Sequence, residues 1–220
     1  MAEIYLETGR KKVFAGSLEW PGWGRFGKSE QDAIDALAEY GARYAPIATA
    51  AGFTFPAAPR LSVAERVPGT ATTDFGAPDG RPEADGKAVT AAVAARHTKL
   101  LRAAWEAFDA YAAEAPERLR KGPRGGGRDR DKMIGHLRDS EAAYARKIGI
   151  RLKPAEPDGL RDAVIEVLGT PGDGGPLTGN GWTARYAARR FVWHVLDHLW
   201  EMQDRSDVGS DMGSDMEGAQ

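Results

Sequence analysis

The sequence predicts an α+β fold in which a small α/β module is followed by an up-down four-helix bundle. Apolar and polar residues alternate in short segments of the first third of the chain, and apolar residues recur at helical spacing in the second half. A stretch rich in Gly, Pro, Thr and Asp separates the two patterns. We therefore expect a module over 1–67, a linker over 68–86, a bundle over 87–205 and a disordered acidic tail over 206–220.

Within the first module, the segments IYLET (4–8) and KKVFAGSLEW (11–20) alternate in polarity and predict two strands. A short strand at RFGK follows the PGWG turn, and LSVAERV (61–67) predicts one more. Between them, Ser29 and Asp32 fit the start of a capped helix that continues at helical spacing to about residue 51. The module is thus predicted to be a small sheet with one helix.

Four helices are predicted after the linker. The first begins near residue 87 and ends before Pro116, since proline disrupts a helix interior. The others are expected at about 129–148, 159–169 and 182–205. The basic, glycine-rich segment 121–128 predicts a flexible loop. The tail repeats acidic and small residues with little to bury, which predicts disorder.

Composition excludes several classes of function. The 220 residues carry a net charge of −2, so no overall basic character favours nucleic acid. The absence of cysteine excludes disulfides and thiolate metal sites, and it is typical of a reducing cytoplasm. No apolar run is long enough to span a membrane, and the N-terminal residues lack an apolar signal core. We expect a cytoplasmic protein without nucleic-acid or membrane partners.

The segment FVWHVLDHLWE (191–201) contains two of the four histidines, His194 and His198, one helical turn apart. Residues i and i+4 share a helix face, so the two rings project together. His136, on another helix, is also predicted to face the bundle core, where facing helices can bring ligands together. Three imidazoles would leave one metal position open. Hydrogen-bonded core histidines without metal are the alternative.

Other polar residues are candidates for supporting such a site. Asp197, Glu201 and Glu141 are near the histidines in sequence and could orient their ring N–H groups. Arg190, one turn before His194, could bind a substrate carboxylate through a bidentate pair, or could be an exposed helix arginine. His97 on the first bundle helix could border the site or be an ordinary core residue. The sequence indicates no catalytic base.

The bundle resembles the DinB-like (YfiT-type) family of metal-binding four-helix bundles. The resemblance is carried by HLRDSE (136–141), which matches the pattern H-L-x-D-x-E, and by HVLDH (194–198), which matches H-x-x-x-H on the last helix. It implies that His136, His194 and His198 bind a divalent metal, usually Zn or Ni. It also implies a metal-dependent transferase, isomerase or hydrolase that acts on a small molecule with a low-molecular-weight thiol.

The first module resembles the HicB-like fold of antitoxins through AGSLEWPGWGRFGKSEQDAIDAL (15–37). No ribbon-helix-helix DNA-binding segment follows it, so a dimerisation or lid role is the plainer expectation. The alternative function is a HicB-like module that recognises a protein partner, with the bundle serving as structure. Because both kinds of module often pair, we expect a homodimer.

Overall fold

The computed structural model describes residues 1–122, 127–151 and 159–206, and it confirms the predicted α+β class. Four strands form one mixed sheet in the N-terminal part of the chain: β1 (Ala2–Thr8), β2 (Val13–Ser17), β3 (Gly24–Gly27) and β4 (Leu61–Pro68). The described residues also form seven α-helices: α1 (Glu30–Glu39), α2 (Gly41–Ala50), α3 (Ala71–Phe75), α4 (Ala91–Glu114), α5 (Arg130–Lys147), α6 (Leu160–Leu168) and α7 (Ala184–Ser206).

The sheet has the strand order β3-β2-β1-β4. The pairs β1–β2 and β2–β3 are antiparallel, as expected for strands joined by tight turns, whereas β1 and β4 are parallel. Helices α1 and α2 form most of the crossover to β4, because a parallel pair needs a long connection. Ser29 accepts a hydrogen bond from Asp32 N at 3.1 Å, and the Asp32 carboxylate accepts one from Ser29 N, which completes the predicted capping box.

The single helix expected over 29–51 is instead two helices, α1 and α2, which meet at Tyr40. Gly41 begins α2 and Pro46 lies inside it, and both residue types disfavour a continuous helix interior. Proline also cannot donate the backbone hydrogen bond that the carbonyl of the fourth preceding residue would accept. The break lets α1 pack on β2 and β3 while α2 packs against α4.

Helix α7 lies at the centre of the molecule. It packs against α4, α5 and α6 on one side. On the other side, Arg25 of β3 forms an ion pair with Asp197 at 2.8 Å, and Tyr40 packs against Trp200. Most buried apolar residues of the sheet and of the helices form one core, and Tyr5, Phe14 and Trp193 form a second, smaller cluster. Packing on both sides explains why most residues of α7 are buried, including three arginines.

The segment 68–86, which we interpreted as a linker, contains α3 and a 3-10 helix (Glu83–Gly86). It packs against both halves of the chain. The buried carboxylate of Glu7 in β1 accepts hydrogen bonds from Thr73 Oγ1 and from Asp79 N. Asp85 forms a buried ion pair with Arg189 of α7. These contacts hold the segment across the sheet and α7, while the division of the chain into domains stays a prediction.

Three further expectations concern the basic loop, the acidic tail and membrane-spanning helices. Of the basic loop at 121–128, residues 123–126 lie outside the described residues, and so does the tail from 207 onward. Ser206, the first residue of the predicted tail, ends α7. Within the described part of the chain, no helix combines the length and the apolar character that crossing a bilayer requires.

Candidate metal centre

Three histidine side chains converge between α5 and α7. His136 projects from α5, and His194 and His198 project from successive turns of α7. One ring nitrogen from each lies within 4.8 Å of the others, and Nε2 of His194 is 3.1 Å from Nε2 of His198. His136 is half-buried, whereas the other two are buried. The predicted histidines are therefore brought together from two helices, with one of them nearest to solvent.

Glu201 holds His198 in position. Its Oε2 atom lies 3.1 Å from His198 Nδ1, and its Oε1 atom accepts a hydrogen bond from Arg205 Nη1 at 2.8 Å. The hydrogen bond with His198 is the main cause that lowers the pKa of Glu201, so this carboxylate is ionised and only accepts. His198 Nδ1 therefore carries the proton, and in the neutral ring the lone pair of Nε2 faces the other two histidines.

The environment keeps the remaining imidazoles neutral. Burial, followed by the charges of His198 and His136, lowers the pKa of His194 to about 2. Burial and then His198 also lower the pKa of His136. A neutral imidazole has a free lone pair, which is the form that binds a metal ion. At neutral pH His136 and His194 therefore offer nitrogen lone pairs without competition from protons.

These residues fit a divalent cation. Two nitrogens that share a tetrahedral Zn²⁺ lie about 3.3 Å apart, given Zn–N bonds of about 2.0–2.1 Å, and the His194–His198 separation of 3.1 Å is close to this. A hydrogen bond between the same two atoms would require the proton of His194 on Nε2. His194 Nδ1 is buried without a partner among the described residues, so it keeps an unsatisfied lone pair in that tautomer and an unsatisfied N–H group when Nε2 binds a metal.

The described residues place no carboxylate and no fourth histidine among the ligand atoms of this cluster. A three-histidine set with an open position is typical of catalytic rather than closed structural zinc sites. Nitrogen ligands without thiolate suit borderline metals such as Zn²⁺ and Ni²⁺. The carboxylate–histidine pair formed by Glu201 and His198 is the usual support of such a ligand.

Of the other candidate supports, Asp197 and Glu141 have partners elsewhere. Asp197 forms its ion pair with Arg25 of β3 and ties α7 to the sheet. Glu141 is buried, and its two carboxylate oxygens accept hydrogen bonds from Trp105 Nε1 at 2.6 Å and from Arg161 Nε at 3.3 Å. Glu141 follows His136 by five residues, which is about 140° around a helix, so it faces α4 and α6 instead.

His97 lies outside the three-histidine cluster. It is buried on α4, and its Nδ1 atom has no partner among the described residues. Burial and then the charges of Arg185, Arg189 and Arg96 lower the pKa of His97 to about 4. These neighbours are arginines rather than the other histidines, so His97 is a neutral histidine of the helical core.

Arg190 is close to the cluster but is not the exposed helix arginine that was one alternative. Its Nη1 atom donates to the Pro78 carbonyl, and its Nη2 atom donates to the Tyr144 hydroxyl at 3.0 Å. The Tyr144 ring packs edge-on against His194, with the ring centres 5.5 Å apart. The two terminal nitrogens are thus already engaged, and a bidentate pair through both of them would require a rearrangement.

Two further residues border the cluster that the sequence did not single out as functional. Tyr144 lies eight residues after His136 on α5, a spacing that returns to the same helix face and could have indicated it. Arg205 lies one turn after Glu201, and its contacts with the carbonyls of Arg120 and Arg128 depend on the fold of a distant segment. Both carried a local signal in the sequence, because Arg205 follows Glu201 at i,i+4 spacing, but the contacts of Arg205 with Arg120 and Arg128 carried none.

Comparisons of this chain with protein-family models, with curated proteins and with solved structures find no match.

Proposed function

We propose that this chain is a DinB-like metal-binding protein that holds a divalent cation, Zn²⁺ or Ni²⁺, through His136, His194 and His198. The convergence of three imidazoles from two helices, with His198 held by Glu201, is the observation that carries the proposal. Support also comes from the motifs HLRDSE and HVLDH, which stand on helices α5 and α7 as the family resemblance requires.

We further propose that the protein is an enzyme that acts on a small molecule together with a low-molecular-weight thiol, as a transferase, isomerase or hydrolase. A divalent cation in such a site lowers the pKa of a thiol or a water molecule and so makes it a nucleophile at neutral pH. The open position next to three nitrogen ligands supports this proposal.

Residues of this chain have defined roles in the proposal. Glu201 fixes the ring orientation and the proton of His198, and Arg205 fixes Glu201. Arg190 donates to the Tyr144 hydroxyl, which leaves the hydroxyl proton of Tyr144 for an acceptor other than the guanidinium. Burial raises the pKa of Tyr144, so this side chain keeps its proton at neutral pH and can donate a hydrogen bond to a substrate oxygen.

The first test is elemental analysis of protein purified without an affinity tag or chelator. About one Zn or Ni per chain is expected in the wild type, as for a single three-histidine centre. The triple variant His136→Ala/His194→Ala/His198→Ala should lose it. His97→Ala is the matched control, because it removes the one remaining histidine, which is buried but outside the cluster. Full metal content in a folded His198→Ala variant would refute the ligand assignment.

A second test addresses the reaction. Metal-loaded protein should turn over a small electrophile in the presence of a thiol such as glutathione, mycothiol or bacillithiol. A chelator should abolish the turnover, and re-addition of metal should restore it. Stoichiometric metal without turnover in any of these thiol assays would count against the thiol-linked reaction and leave the metal centre in place.

The resemblance of the N-terminal part to HicB-like modules stays a prediction, and so does the expected homodimer. Light scattering on the full chain distinguishes a monomer from a dimer. Specific capture of a small toxin-like protein would favour the alternative of a protein-binding module.

A further inference from the structure

A second polar site lies between α7 and the sheet. A cleft there contains about 240 Å³ of space between atoms, including solvent at its mouth. Its walls include Tyr5, Phe14, Gly22, Gly24, Arg190 and Trp193. We call this space the sheet–α7 cleft. The enclosed part of the cleft has room for about one water-sized group.

Two buried hydrogen-bond donors of this cleft lack an acceptor within the described residues. They are Nε of Arg190 and Nε1 of Trp193. The two side chains are only 8% and 6% exposed, so bulk solvent does not compensate for the missing partners. A buried N–H group without a partner costs about 1–3 kcal/mol, and such groups are rare in folded proteins. The pair therefore indicates a missing acceptor.

Among the described residues, the charge of Arg190 also has no anionic partner. No carboxylate of the described residues lies within ion-pair distance of its guanidinium. The preceding residue, Arg189, is equally buried but is paired with Asp85. The carboxylate of Asp79, next to the Pro78 carbonyl that Arg190 contacts, accepts a hydrogen bond from Thr70 instead. A buried cation normally has an anionic partner.

The backbone around the cleft is shaped for a small group. Gly22 has φ +88°, and a Cβ atom there would lie 2.4 Å from Val192 on α7. At Gly24 a Cβ would lie 2.5 Å from the Phe14 ring. Gly22 therefore lets the PGWG turn approach α7 closely, and Gly24 leaves room for the Phe14 ring beside the cleft. Only a narrow acceptor, such as one oxygen of a carboxylate, fits between the two layers.

We propose that the sheet–α7 cleft binds a carboxylate, whose oxygen accepts hydrogen bonds from Arg190 Nε and Trp193 Nε1. A water molecule could accept both of these bonds but would leave the guanidinium charge without an anionic partner. Trp193 adjoins His194 in sequence, and Arg190 contacts Tyr144, which packs against His194. Assignment of the carboxylate to the substrate rests on the proposed function, and it makes the substrate class small carboxylic acids.

Formate, the smallest carboxylate, is the probe. The full chain is labelled with ¹⁵N and titrated with sodium formate in the presence of a chelator, with sodium chloride as the matched salt at constant ionic strength. The chain has six tryptophans, and the variant Trp193→Phe identifies the indole N–H signal of Trp193. The indole of Trp105, which already donates to Glu141, is the internal control.

The expected result is a saturable shift of the Trp193 signal with formate, a much weaker response to chloride, and no shift at Trp105. Arg190→Lys keeps the charge but removes Nε–H, so it should weaken formate binding about tenfold or more. If this variant does not fold, Trp193→Phe provides the second comparison, because it keeps an aromatic ring. Formate should then raise the Tm of the wild type more than that of Trp193→Phe.

Absence of a saturable shift would overturn the proposal, since water alone would then fill the cleft. An equal response to chloride would overturn the carboxylate assignment, and unchanged affinity in a folded Arg190→Lys variant would overturn the role of Arg190. Because the titration contains a chelator, its outcome is independent of the metal analysis. Formate binding by a protein that never holds metal would support the cleft and refute the proposed function.

Discussion

Asp85→Asn tests the buried ion pair that joins the 68–86 segment to α7. The two side chains are 5% and 8% exposed, and Arg189 Nε and Nη2 each donate to one oxygen of Asp85. Asparagine has nearly the same shape and can still accept one of these hydrogen bonds. Its neutral amide leaves the buried guanidinium without a counter-charge, and breaking a buried pair from one side costs about 3–5 kcal/mol.

The loss is measured by equilibrium unfolding in urea. At a slope of about 2 kcal/mol/M, a loss of about 3 kcal/mol lowers the urea midpoint by about 1.5 M. Glu30→Gln is the control, because Glu30 and Arg66 form an exposed ion pair that should contribute no measurable stability. The double variant Asp85→Leu/Arg189→Met replaces both charges by apolar groups and should recover most of the stability that Asp85→Asn loses.

A midpoint of Asp85→Asn within experimental error of the wild type would refute this reasoning. It would mean that water reaches the Arg189 guanidinium and that the segment contributes little to the burial of α7. Destabilisation by Glu30→Gln equal to that by Asp85→Asn would also contradict it, because burial would then not explain the difference.

Three further predictions follow from the described contacts. Glu201→Gln should weaken metal affinity about 10–100-fold because His198 loses its charged partner. Asp197→Asn is the control and should leave the affinity unchanged, because Asp197 is paired with Arg25. The affinities of both variants are measured by competition with a chromophoric chelator. The pKa of His97 is lowered to about 4, so the neutral ring stabilises the fold above the unfolded-state pKa of about 6.5, and up to about 3 kcal/mol of this stability is lost as the pH falls towards 4. In chelator-treated protein, His97→Gln should flatten the dependence of the unfolding free energy on pH. An unchanged slope in this variant would contradict the prediction. Gly22→Ala and Gly52→Ala both place alanine at positive φ, but only at Gly22 does a Cβ atom collide with Val192. Urea unfolding should therefore show Gly22→Ala to be about 1–3 kcal/mol less stable than Gly52→Ala. Equal losses of stability would exclude a close approach of α7 to the PGWG turn.

The sequence was sufficient for most elements, because they depend on local periodicity. The alternation at IYLET and the capping pair Ser29–Asp32 are local signals, and β1 and α1 appear where these signals place them. The i,i+4 spacing of His194 and His198 likewise fixed their shared helix face. The break at Tyr40 was missed, although Gly41 and Pro46 were local warnings of it.

The tertiary structure alone decided which polar residues support the histidines. Asp197 and Glu201 each follow a histidine of α7 by three residues, yet only Glu201 contacts an imidazole. The difference arises because β3 presents Arg25 to Asp197, whereas α7 presents Arg205 beside Glu201. Arg25 comes from a strand distant in sequence, and helical periodicity contains no information about it. Arg205, four residues after Glu201 on the same helix, is a local partner.

By itself, the sequence determined that three histidines would stand on inward faces of two helices, because helix geometry converts spacing into direction. It could not determine that a sheet covers the opposite side of α7. That packing buries Arg190 and Trp193 and leaves their N–H groups without partners among the described residues, so the sheet–α7 cleft exists only in the folded chain. Burial of a charge depends on every layer packed around it, and only the tertiary structure sets those layers.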